Sequence, residues 1–101
     1  MTIVETTIVP LGTATTSISH YVAACHRILQ EQQGIAYQLT PMGTIIEGDL
    51  DVILQTIRKM HEVPFQEGAL RVSTTIRIDD RRDKNASMAD KVNAVQEKLT
   101  K

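Results

Sequence analysis

One carboxylate stands inside an apolar run: Glu47, in TIIEG at 44–48. A charge on a short apolar strand costs free energy unless something compensates it, so Glu47 calls for a partner. A ligand nitrogen would serve, and so would a nearby arginine, a helix N-terminus or solvent. Hydroxyls gather in PLGTATTS at 10–17, where Thr13 and Ser17 either touch a ligand or cap the helix that follows. Thr44, directly after Gly43, is a turn residue unless a neighbouring subunit brings it into a site. Tyr37 offers a flat apolar wall, and Arg71 a cation. Thr13, Ser17, Tyr37 and Glu47, with Arg71, are the candidate ligand contacts that these residue types offer.

Other chemistries find little support. His20, His26 and His61 lack metal-ligand spacing with one another or with Cys25, and no CxxC or HxxxH pair occurs, so no metal site is expected. Neither a GxSxG elbow nor a phosphate-cradling glycine loop nor a GxGxxG fingerprint is present. Asp79 and Asp80 adjoin Arg81 and Arg82, which reads as neutralised surface charge rather than an acid/base pair. No catalytic residue is assigned, and the protein is not expected to be an enzyme or to need a cofactor.

Composition sets the frame for these residues. A chain of 101 residues with 42% hydrophobic and 23% charged residues fits one globular domain. Eleven basic side chains against twelve acidic ones give a net charge of −1, which leaves no field to attract nucleic acid or an anionic membrane. The short apolar runs and the N-terminal MTIVETTIVP suit neither a membrane span nor a secretory signal, so a cytoplasmic location is expected. Cys25 falls on an apolar helical stripe and is read as a core thiol.

The elements that must position these residues follow from periodicity. TIVETTIV at 2–9 is a β-branched strand closed by Pro10. Ile18, Tyr21, Val22, Cys25, Ile28 and Leu29 recur at helical spacing, with Gly34 as the stop. IAYQLTP at 35–41 and TIIEG at 44–48 make a hairpin turning at Met42-Gly43. Asp49 caps a second helix that carries Leu50, Ile53, Leu54, Ile57 and Met60, and Pro64 and Gly68 bracket the loop after it. Residues 70–79 alternate strictly between apolar and polar, and Ser87 with Asp90 opens a C-terminal helix as a capping box.

The resulting order, βαββαβ plus a terminal helix, predicts an α+β fold of ferredoxin-like type. Its four-stranded antiparallel sheet would carry both main helices on one face. Crossover handedness is taken to set strands one and three side by side and running the same way, with strands two and four at the edges. Their C-terminal ends, at Pro10–Ser17 and Glu47–Asp49, would then converge with the starts of strands two and four, near Tyr37 and Arg71, on one ligand-binding edge.

The segments IVPLGTATTSISHYV at 8–22, PMGTIIEGDLD at 41–51, RVSTTIRIDDRRD at 71–83 and KVNAVQEKL at 91–99 resemble those of the small thiamine-binding protein family. The resemblance covers nearly the whole chain. It implies a ferredoxin-like fold, dimers that pair into tetramers, and non-catalytic binding of thiamine or its hydroxymethylpyrimidine moiety. Thr13, Ser17, Thr44 and Glu47 lie in the matching motifs. A competing reading is a structural or regulatory homo-oligomer whose open sheet face, with Arg77 and the DDRRD segment, makes protein contacts.

Overall fold

A computed structural model describes residues 2–12, 19–83 and 87–100. The elements are β1 (Thr2–Leu11), α1 (Ser19–Glu31), β2 (Ile35–Thr40), β3 (Gly43–Gly48), α2 (Leu50–Gln66), β4 (Arg71–Asp80) and α3 (Met88–Leu99). The four strands form one antiparallel sheet in the order β2-β3-β1-β4.

That order corrects one expectation. β1 and β3 are neighbours, yet they run in opposite directions, with Thr6 opposite Thr44 and Ile3 opposite Glu47. The crossover through α1 relates β1 to β2, and the hairpin then folds β3 back between them. β3 is therefore antiparallel to both, and its C-terminal end lies beside the start of β1, not beside Pro10.

Local signals hold with three adjustments. β1 runs through Pro10 to Leu11, because beyond Thr6 it has a ladder partner on the β4 side alone and a missing N–H is tolerated on the free side. The hairpin turns at Pro41-Met42, while Gly43 pairs with Thr40 at φ 158°, where an added Cβ would stand 2.9 Å from the Thr6 carbonyl oxygen. α2 continues through Pro64 to Gln66. Proline cannot donate to the carbonyl four residues back, that of Met60, and the Cys25 thiol donates to this oxygen instead, at 3.4 Å. The caps at Asp49 and at Ser87 with Asp90 form as the sequence indicates.

Both main helices cover the same sheet face. Val4 and Ile46 from the sheet meet Cys25 and Leu29 from α1 and Ile53, Ile57, Met60 and Val63 from α2, all buried. Alternation sends Ile3, Glu5, Ile45, Glu47 and the polar row Arg71, Ser73, Thr75, Arg77 and Asp79 to the open face.

Candidate functional site

A cavity of about 490 Å³ opens between α1, the middle of β1 and the β2–β3 hairpin. Its wall includes Thr6, Ile8, Cys25, His26, Met42 and Thr44, with Met60 of α2 behind. Each element supplies its residues by simple periodicity. Thr6 and Ile8 alternate onto the helix face of β1, Thr44 lies opposite Thr6 on β3, and His26 continues the inner stripe of α1 four residues after Val22. The wall is mostly apolar with a few polar atoms, as small-molecule sites are.

Those polar atoms differ in how they are held. Thr6 is buried and donates its hydroxyl to the Thr75 carbonyl at 3.0 Å, which fixes its rotamer. The Cys25 thiol faces Met60 as described, and burial pushes its pKa up to about 11, so it stays protonated at neutral pH. His26 stands apart. Its ring meets Tyr37 edge-on, with centroids 5.0 Å apart and planes at 85°, while its Nδ1 atom is buried without a hydrogen-bond partner. Buried polar atoms are nearly always paired, so this nitrogen is an exception among the described residues, on a ring that lines the cavity.

The candidate residues divide between two faces of the sheet. Thr44 is buried and lines the cavity. Tyr37 lies one layer out, packed on the core and holding the His26 ring. Glu47 does not join them, because three residues of strand carry it to the opposite face. There its Oε2 accepts the N–H of Met88 at the first turn of α3, 2.9 Å away. A helix N-terminus is thus the partner of its charge. Arg71 is exposed opposite Leu11, on the open face. Thr13 and Ser17 lie outside the described residues.

Sequence reading missed His26. The available signal was its place at i+4 from Val22 and i−3 from Leu29 on a stripe otherwise apolar. Among the described residues no group of three His, Cys, Asp or Glu side chains is arranged to hold a metal ion. The DDRRD run forms paired charges: Arg82 binds Asp80 at 2.8 Å and holds that carboxyl below its ordinary pKa, Arg81 binds Asp83, and Lys91 of α3 reaches Asp79. No helix among the described residues is long and apolar enough to cross a membrane.

Known proteins share both sequence and fold with this chain. The UPF0045 protein YqgV of Bacillus subtilis is 49% identical over 102 residues, covering 98% of each chain. A UPF0045 protein of Methanothermobacter thermautotrophicus is 44% identical over 96 residues, covering 94% of this chain and 96% of its own. The crystal structure of a Methanocaldococcus jannaschii protein superposes with a TM-score of 0.85 at 31% identity, covering 95% of this chain and 96% of the other. The family profile described as thiamine-binding protein matches residues 4–96. On these matches, the chain belongs to the thiamine-binding protein family.

Proposed function

We propose that this protein is a non-catalytic binder of thiamine or of its hydroxymethylpyrimidine moiety, and that the ligand occupies the cavity between α1 and the hairpin. The observation that carries this reading is a cavity of about 490 Å³ with a mostly apolar wall on which the His26 ring and Thr44 supply polar groups. An aminopyrimidine offers a hydrogen-bonding edge on a flat apolar body, which matches the polar groups of His26 and Thr44 and walls from Ile8 and Met42. The described wall contains no carboxylate, and Glu47 is engaged elsewhere. This favours the neutral pyrimidine half over the cationic thiazolium as the part held inside.

The reading includes no chemical step and no cofactor: Cys25, the thiol on the wall, is protonated at neutral pH and donates to the Met60 carbonyl. Isothermal titration with thiamine and with hydroxymethylpyrimidine tests it. Binding heat and a raised melting temperature are expected for at least one ligand. Neither heat nor a thermal shift at millimolar ligand would overturn the reading.

A further inference from the structure

Taking the cavity as the ligand site proposed above, we infer that the main chain of Ile8 on β1 selects the ligand. Its N–H and C=O take the polar edge of a flat heterocycle that carries an acceptor beside a donor. Unequal strand lengths make this possible. β4 pairs with β1 as far as Pro10 and Leu11, whereas β3 pairs with it only as far as Thr6. Past Thr6 the sheet therefore has a notch, bordered by β1 and closed at one end by the hairpin turn at Pro41-Met42.

The direction of each main-chain group in the notch follows from alternation. In an antiparallel ladder the N–H and C=O of one residue point to one side, and those of the next residue point to the other. The two-residue turn makes Thr40 and Gly43 the bonded pair that closes the hairpin, so the groups of Gly43 face β2 and those of Thr44 face β1. Thr44 stands opposite Thr6, which turns the groups of Thr6 toward β3 and those of Thr7 toward β4. Two observations agree with that phase. The Thr75 carbonyl, opposite Thr7, accepts the Thr6 hydroxyl at 3.0 Å and so points at β1. Pro10, which has no N–H to give, falls where the groups face away from β4. Ile8 shares this phase, so its N–H and C=O, with the C=O of Pro10, face the notch. No described residue bonds them. The Ile8 side chain lines the cavity beside Thr6 and Met42, so its main chain borders the same space.

Main-chain donors and acceptors are strong hydrogen-bonding groups that seek partners. A strand from another chain suits this notch badly, because the free side presents the N–H of Ile8 alone as donor and Pro10 interrupts the ladder. One donor beside one acceptor fits the edge of a ring instead. In an aminopyrimidine a ring nitrogen accepts from the Ile8 N–H, the neighbouring amino group donates to the Ile8 C=O, and Ile8 and Met42 supply apolar contact. The described wall holds no Lys, Arg, Asp or Glu to compete for that edge.

Amide hydrogen exchange followed by NMR on the full chain, with hydroxymethylpyrimidine as the added ligand, tests this directly. In the free protein the Ile8 amide should exchange faster than those of Thr6 and Thr7, its laddered neighbours. Saturating hydroxymethylpyrimidine should slow it by about tenfold or more. In titration calorimetry the analogue lacking the amino group should bind wild type about tenfold more weakly, the loss of one hydrogen bond. Ile8→Pro removes an N–H from the side without a ladder, as Pro10 already does, and should weaken hydroxymethylpyrimidine by a similar factor. Ile8→Val trims a similar amount of side chain but keeps the N–H, and should lose much less. If Ile8→Pro does not fold, the exchange and analogue measurements decide alone. An Ile8 amide as slow as its neighbours in the free protein would overturn the free edge. Binding that leaves this amide unprotected, or equal affinity for the amino-free analogue, sinks the contact while the cavity reading stands. Binding of neither thiamine nor hydroxymethylpyrimidine sinks both.

Discussion

The side chain of Glu47 and the backbone N–H of Met88, 41 residues apart in sequence, meet at 2.9 Å on the face of the sheet opposite the helices. A carboxylate at a helix N-terminus satisfies an orphan donor and complements the positive end of the helix dipole. The same bond decides where the terminal helix leaves the body. Glu47 thus anchors the first turn of α3.

Glu47→Ala should therefore loosen α3 and spare the cavity. Loss of one charge-assisted bond at a half-buried site costs about 1 kcal/mol locally. Amide exchange of Met88 to Lys91 should accelerate roughly fivefold, while affinity for thiamine or hydroxymethylpyrimidine stays unchanged. A large loss of ligand affinity in this variant would return Glu47 to the binding site.

His26→Phe should separate stability from binding. The new ring keeps the edge contact with Tyr37 and removes a buried nitrogen that has no partner, so the melting temperature should hold or rise. Ligand affinity, measured by titration calorimetry, should fall about tenfold, the order expected when one buried hydrogen bond is lost. Equal affinities in variant and wild type would place the ligand elsewhere.

Alkaline pH should destabilise the fold through Cys25. Its folded pKa, about 11, lies above the ordinary 9.0, so the neutral thiol's contribution is complete below pH 9. As pH rises from 9 to about 11 the unfolded chain loses this proton while the folded chain keeps it, and stability falls by roughly 2–3 kcal/mol. Chemical denaturation of wild type and Cys25→Ala across that window checks the sign. The variant, offset by its own cavity cost, should lack this part of the slope.

Gly43→Ala should destabilise the hairpin by about 1–3 kcal/mol. A Cβ there would stand 2.9 Å from the Thr6 carbonyl oxygen and 3.0 Å from the Thr7 hydroxyl, at a φ of 158°. The Thr7 hydroxyl donates to the Met42 carbonyl, so the clash also disturbs the turn at the rim of the cavity. Urea denaturation reads the loss, and an unchanged midpoint would show that the hairpin yields at no cost.

The sequence by itself determined every element that local chemistry encodes. β-branched runs, the stripes through Cys25 and Met60, the Asp49 cap and the Ser87–Asp90 box act within a few residues of themselves, so they read the same in isolation as in the fold. The family motifs added the overall type. Strand direction, by contrast, was decided by how the hairpin inserts between β1 and β2, and that required the whole sheet. From this one difference the candidate site divides. Thr44 remains on the helix face beside His26, while Glu47, an odd number of residues along the strand, emerges on the other face beside Met88. Partners such as Glu47–Met88 and Cys25–Met60 join residues far apart in sequence, where no local period carries the information, and only tertiary packing brings them within hydrogen-bonding distance.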